Sequence, residues 1–230
     1  MKAEKATLSK PQNETLHEKN VQIPMRDGTL LRANITRPKA EGAFPALVER
    51  TPYNKEGGSE NAVCAPEFFA RRGYTVVIQD VRGRFASEGE FYPFRDDGAG
   101  LNRDGCDTIE WVAAQSWCDG NVAMVGESYF AAIQYLVAAT QPPSLKTIVP
   151  LDGWTDVYRD CVYHGGWYHA GFVPPWLSAV YEIAGPRPGL SAPKGWQPPG
   201  DVIRDTVLHA TDGPYYHLRS AYKKFDGIKV

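Results

Sequence analysis

Little in this sequence of 230 residues is in excess. Lys and Arg number 25 against 27 Asp and Glu, so there is no basic surplus to neutralise phosphates and no acidic surplus to hold a polycation. Nucleic acid and membrane are not expected as partners; a small or neutral molecule suits the balance better. No apolar run reaches the roughly eighteen residues of a membrane helix, and the opening "MKAEKATLSKPQNETLHEKN" lacks the apolar segment that heads a secreted protein. A cytoplasmic protein is expected. Cysteine is sparse and scattered: Cys64, Cys106, Cys118 and Cys161 form no C-x-x-C pair and have no histidine at ligand spacing. Reduced core thiols are therefore expected, with no metal and no cofactor. Cys118 in "QSWCDGN" has no base beside it to make it a nucleophile. Internal repeats are absent as well.

What is present is a core-forming composition, 43% hydrophobic, with strand and helix signals in alternation. Residues 1–20 are polar and aperiodic and read as a flexible arm. "VQIPMRDGTLLRANITRP" reads as a hairpin turning at Arg26-Asp27-Gly28. A strand through "AFPALVERTPY", a helix through "CAPEFFARRGY" stopped by Gly73, and a buried strand "YTVVIQDVRG" follow. Then come a Gly- and Asp-rich loop, helix "DTIEWVAAQ", strand "NVAMVG", helix "YFAAIQYLVAAT" and strand "LKTIVPLDG". Such alternation predicts an α/β core over 21–153, with a mostly parallel sheet and flanking helices. From Trp154 to 225 aromatic residues, Pro and Gly dominate, and a partly helical cap insertion is expected. Residues 226–230 read as the start of a further core strand, leaving one position at the sheet's edge unfilled.

Within "NVAMVGESYFAAIQYL" a serine stands between a strand and a helix. A serine on such a turn is how parallel-sheet hydrolases expose a nucleophile, in the pattern G-x-S-x-G. Phe130 occupies the fifth position, so the pattern is incomplete. Gly126 would allow the tight turn, and the N–H of Tyr129 would face an oxyanion beside Ser128. The competing reading is an ordinary serine capping the next helix. The motif by itself leaves both open.

Four stretches, "RTPYNK" (50–55), "VVIQDVRGRFASEGEF" (76–91), "DTIEW" (107–111) and "WCDGNVAMVGESYFAAIQ" (117–134), together resemble one family. It is that of the bacterial cocaine-esterase-like acyl hydrolases, related to α-amino-acid ester hydrolases and X-Pro dipeptidyl peptidases. The elbow of that family has the form G-x-S-Y-x-G, with Ala131 at the sixth position here. The resemblance implies an α/β-hydrolase fold and a serine esterase in which Ser128 is acylated. It further implies that the Tyr129 N–H and the Tyr53 hydroxyl hold the oxyanion. Asp80, Arg82 and Gly83, with Ser87, Glu88 and Gly89, look like a structural loop braced by an internal charge pair. Val162, Tyr163 and Trp176 are candidate acyl contacts, with core packing as their alternative role.

A serine hydrolase also needs a histidine base and an orienting acid, which the resemblance places beyond Val230. His17, His209 and His217 read as solvated; His164 and His169 in the cap are a minority alternative. Asp152, Asp156 and Asp160 follow a strand too closely to serve as the acid. The chain as given is therefore expected to be the inactive N-terminal part of a longer enzyme. X-Pro dipeptidyl-peptidase or α-amino-acid ester hydrolase activity, and a non-catalytic binding module on the same fold, are the alternatives.

Overall fold

The computed structural model describes residues 9–56, 65–98, 100–185 and 200–230; Cys64 lies outside them. Strands β1 (Thr15–Pro24) and β2 (Leu30–Pro38) make the hairpin expected around Asp27-Gly28. β1 begins at Thr15, so residues 15–20 belong to the sheet rather than to a flexible arm. A bulge between Glu18 and Val21 shifts the register, with Asn20 at φ +54 donating its N–H to Asn34 Oδ1 at 3.0 Å. The extra residue breaks the period of two by which a strand is recognised in sequence.

After the hairpin come β3 (Phe44–Thr51), α1 (Pro66–Ala70), β4 (Thr75–Asp80), α2 (Asp104–Ala113), β5 (Cys118–Glu127), α3 (Tyr129–Ala138) and β6 (Leu145–Leu151). The strands form one sheet in the order β1-β2-β4-β3-β5-β6. β2 runs antiparallel to β4, whereas the β4–β3, β3–β5 and β5–β6 pairs are parallel. Ala46, Val48, Val77 and Met124 face Ile109 and Val112 of α2 and Val137 of α3. Their sequence neighbours Leu47, Val76, Ile78 and Val125 turn to the other face, against Phe69 of α1, as strand alternation requires. This is the α/β-hydrolase-type architecture. β6 forms one edge, with Val149 and Leu151 exposed.

The insertion consists of a π-helical turn (Val157–Val162), a hairpin of β7 (Tyr163–His164) and β8 (Trp167–Tyr168), helices α4 (Val173–Ile183), α5 (Gly200–Leu208) and α6 (Pro214–Arg219), and a 3₁₀ turn (Tyr222–Gly227). The small hairpin was not among the expected elements. Gly165 and Gly166, at φ +59 and +86, supply the two positive φ values of its turn. Residues 226–230 differ from the expected strand: among the described residues they join no ladder. Gly227 instead ends the 3₁₀ turn, close enough to α3 that a Cβ there would lie 3.1 Å from the Ala139 carbonyl oxygen, and Ile228 packs on the sheet's core.

Insertion and α3 share one core, in which Tyr129, Phe130 and Ile133 meet Val162, Leu177, Val180 and Tyr216. Of the residues of α3 only Tyr135 is not fully buried. A helix apolar all round is one that packs on every side, and this one is held between sheet and cap with its N-terminus at the end of β5.

Candidate active site

Ser128 is the single residue between β5 and α3, at φ +57 and ψ −119. A residue with a β-carbon occupies that region at a cost of order 1–3 kcal/mol, and does so where the surroundings enforce it. Its N–H is donated to the Leu151 carbonyl at 3.0 Å, and its own carbonyl accepts from the Ala131 and Ala132 N–H groups, both at 3.0 Å. The hydroxyl makes no cap bond to α3, so the reading of Ser128 as an ordinary helix cap fails. Among the described residues the Tyr129 N–H has no acceptor either, and it opens α3 beside the serine. Among the described residues, a hydroxyl and an N–H without partners thus stand side by side at a helix N-terminus, an arrangement that leaves both open to a ligand.

Small residues make the turn possible. Gly126 has φ +151, and a Cβ there would lie 2.4 Å from Phe130 Cβ. Ala131, where the family pattern has glycine, is accommodated from the other side. Gly153 stands opposite, and a Cβ on it would come within 2.5 Å of the Ala131 Cβ.

The side chain of Tyr129 is buried beneath the elbow and anchored there. Its hydroxyl accepts from the Phe94 N–H at 3.2 Å and donates to Asp97 Oδ2 at 3.4 Å. Asp97 Oδ1 in turn takes Arg50 Nη1 at 2.6 Å, and Arg50 Nε donates to Gln79 Oε1 at 2.7 Å. Burial, ahead of the nearby Asp97 charge, holds the Tyr129 phenol well above its ordinary range. Sequence reasoning assigns no role to Arg50 or Asp97, since each acquires meaning only from the partner it meets in space.

Tyr53 follows β3 and reaches the same place. Its ring meets those of Tyr129 and Phe130 edge-on, with centroids 6.3 and 5.5 Å apart. The loop is fixed by the Tyr53 N–H on Thr51 Oγ1 at 2.9 Å and by Arg84 Nε on the Pro52 carbonyl at 2.8 Å. Burial raises the pKa of the Tyr53 phenol, which keeps it neutral and able to donate. The hydroxyl oxygen accepts a hydrogen bond from Trp176 Nε1 at 3.1 Å. Sequence reasoning thus named three groups, Ser128, Tyr129 and Tyr53, that the fold gathers at one end of the sheet, where ligands of open α/β sheets bind.

The loop after β4 is braced differently from expectation. Asp80 and Arg82 do not pair with each other. Asp80 takes Lys55 Nζ at 2.9 Å, and Arg82 pairs with Asp104 and Asp27, both at 2.7 Å. Each buried charge is matched by one brought from another element, because an unmatched one is costly. Ser87 Oγ donates to the Asp80 carbonyl at 2.7 Å and Gly83 N–H to the Glu88 carbonyl at 2.9 Å. Glu88 is turned toward β2, accepting the Leu30 N–H, and Gly89 packs against Arg82, 2.8 Å from Arg82 Cγ for a Cβ placed there.

Val162 and Trp176 line a cavity of about 30 Å³ in the cap, together with Phe94, Leu177, Tyr216 and Arg219. That is room for water rather than for an aromatic group, which needs on the order of 150 Å³. Neither Ser128 nor Tyr53 is among the described residues that wall it. Tyr163 is a packing residue: it stacks on Tyr158 at 5.0 Å and donates its hydroxyl to the Thr206 carbonyl at 3.0 Å. Cys118 and Cys161 are buried and Cys106 partly so, all three free. Burial pushes the Cys161 thiol up to about 12. Among the described residues no group of three metal-ligating side chains occurs, and no helix is long and apolar enough to cross a membrane.

The five histidines have other partners or neighbours. His17 contacts Thr36 Oγ1 at 3.1 Å and Glu67; His164 Nε2 contacts the Asp160 carbonyl at 2.6 Å. His169 stacks between His164 and Phe172. His209 contacts the Asp205 carbonyl, and His217 pairs with Asp212 at 2.8 Å. Asp156 accepts the Tyr158 and Arg159 N–H groups and pairs with Arg159, and Asp160 accepts from Thr155 and Asp156. Among the described residues none is hydrogen-bonded to Ser128.

The chain is similar to several known proteins. The cocaine esterase of Rhodococcus sp. (strain MB1 Bresler) is 44% identical over 154 residues, 66% of this chain and 25% of that protein. The Xaa-Pro dipeptidyl-peptidase of Lactobacillus helveticus (strain DPC 4571) is 27% identical over 128 residues, 47% of this chain and 16% of that one. A CocE/NonD family hydrolase from Staphylococcus aureus superposes with a TM-score of 0.80 at 29% identity, covering 94% of this chain and 40% of that chain. The chain thus spans less than half the length of these relatives. The family described as X-Pro dipeptidyl-peptidase (S15 family) matches residues 27–197, most of the sequence, and the chain belongs to that family.

Proposed function

We propose that Ser128 is the acylated nucleophile of a carboxylic ester hydrolase, with the Tyr129 N–H and the Tyr53 hydroxyl receiving the oxyanion. The observation that carries this reading is the conformation of Ser128: strained at φ +57, with a hydroxyl that caps nothing. A sequence that needed only a helix cap would adopt the relaxed extended form and use its oxygen. As the serine oxygen attacks an ester carbonyl, its proton must pass to a base. No histidine among the described residues is bonded to it. The base and its acid are therefore proposed to come from the part of the protein beyond residue 230.

An ester with a neutral, apolar acyl group is favoured over an α-amino acyl group or an X-Pro peptide. A buried ammonium needs a counter-charge, and Asp156 and Asp160 already serve the backbone of the π-helical turn and Arg159. The test is hydrolysis of a nitrophenyl ester by the full-length protein. Turnover should fall by several orders of magnitude in Ser128→Ala, and residues 1–230 alone should show almost none. Robust Ser128-dependent turnover by residues 1–230 would refute the assignment of the base, and unchanged turnover in Ser128→Ala would refute the nucleophile.

A further inference from the structure

Tyr53 is bound to the cap as well as to the sheet. The Trp176 indole N–H, from the first turn of α4, donates to its hydroxyl oxygen at 3.1 Å. The indole has little freedom to do otherwise. It lies parallel to Phe172 (centroids 5.6 Å, 7° between planes) and to Phe94 (6.3 Å, 22°), and Trp154 stands edge-on at 6.1 Å. The same helix is tied to the same loop a second time. Arg84, 1% exposed, donates to the Pro52 carbonyl from Nε and to the Val180 carbonyl from Nη2. Pro52 and Tyr53 on one side, and Trp176 and Val180 on the other, are thus joined by two side-chain hydrogen-bonding links.

Accepting a hydrogen bond has two effects on a phenol. It occupies one lone pair, so the hydroxyl hydrogen turns away from the donor, and it polarises the O–H toward stronger donation. The Trp176 bond pulls the pKa of the Tyr53 phenol down against the larger, opposite effect of burial, the direction expected for a better donor. We propose that Trp176 is a positioning residue for the oxyanion hole: its indole N–H orients and polarises the Tyr53 hydroxyl, and makes α4 of the cap part of the catalytic geometry. The inference rests on the reading of Tyr53 and Ser128 given above, and differs from a role for Trp176 in contacting the acyl group. A contact acts on binding and is indifferent to Tyr53; a positioning role acts on the chemical step and acts only through Tyr53.

The experiment is a double-mutant cycle on nitrophenyl ester hydrolysis by the full-length protein, comparing Trp176→Phe, Tyr53→Phe and the double variant, with Ser128→Ala as the reference for lost nucleophile. Tyr53→Phe should cost about a hundredfold or more in kcat. Trp176→Phe keeps the stack and removes the N–H; it should lower kcat about five- to tenfold with KM within about twofold, and should add nothing in the Tyr53→Phe background. A second variant with benzothienylalanine at position 176, in which sulfur replaces the N–H within the same outline, should repeat the result if phenylalanine perturbs folding. If Ser128→Ala is inactive but loss of the indole N–H has equal effect in both backgrounds, or none, the positioning role is wrong and the nucleophile stands. If the unsubstituted protein has no Ser128-dependent turnover, the nucleophile assignment falls and the positioning role falls with it.

Discussion

The two sides of the elbow are built from different chemistry. Below it, toward the sheet, charge is buried in pairs: Arg50 with Asp97, Lys55 with Asp80, and Arg82 with Asp104, the last joined by the exposed Asp27. Above it, in the cap, the ties are aromatic faces and tyrosine hydroxyls. Phe172 and Trp176 of the cap stack onto Phe94, which in turn stacks on Tyr129 of the core, and Tyr163 and Tyr216 both donate to the Thr206 carbonyl at 3.0 Å. Buried ion pairs are rigid and costly to break, whereas each neutral hydrogen bond of the cap contributes about 0.5–1.5 kcal/mol. Ser128 and the Tyr129 N–H thus rest on the stiff side. Tyr53 stands between the two, rooted in the sheet and bonded to the cap.

Breaking the stiff side should have the largest effect. Asp97→Ala leaves Arg50, whose side chain is fully buried, without its counter-charge, and Arg50 Nη2 already lacks a partner. A loss of about 3–5 kcal/mol is expected, read from the denaturant midpoint of the full-length protein. The Tyr129 hydroxyl loses an acceptor in the same variant, so hydrolysis should fall as well. A loss under about 1 kcal/mol would mean that the pair does not hold the elbow.

How much of this was legible in the sequence depends on the range of the interaction. The elbow was readable because glycine, serine and the flanking strand and helix are adjacent in the chain. Tyr53 was readable only through the resemblance carried by "RTPYNK", for a loop tyrosine has no period or spacing that marks it. Arg50 and Arg84 lie within stretches that carry the resemblance and Asp97 does not, but none of the three had a role assigned, because their roles come from partners distant in sequence. The loop after β4 shows the same limit: opposite charges close together in sequence suggested a pair internal to the loop, and the fold supplied Lys55 to Asp80 and Asp104 to Arg82 instead. In β1 the bulge at Asn20 hid a strand, and the stretch 226–230, read as the start of one, joins no ladder among the described residues.

On the cap side, Tyr216→Phe removes the bond to Thr206 and keeps the ring. It should cost about 0.5–1.5 kcal/mol and leave ester turnover within about twofold; a loss as large as that of Asp97→Ala would erase the distinction between the two sides.

The smallest effect concerns acid. The hydrogen bond from Arg82 lowers the Asp27 carboxyl from 3.8 to about 2. A carboxyl lowered on folding stabilises the folded state above its ordinary value and loses that contribution as pH falls from about 3.8 through about 2. Burial raises Asp80, Asp97 and Asp104, which acts with the opposite sign: their contribution is greatest in acid and declines as pH rises through their raised values. Asp27→Asn should therefore flatten the loss of stability between pH 3.8 and about 2. An unchanged acid limb in thermal melts would show that Asp27 is not the group responsible.

The central claim, that Ser128 is a nucleophile and not a turn residue, is tested most directly by treating the full-length protein with a fluorophosphonate and mapping the adduct by mass spectrometry. One adduct on Ser128, absent from Ser128→Ala, is the predicted result. No adduct, or one on another residue, would contradict the account and leave a hydrolase fold used for binding.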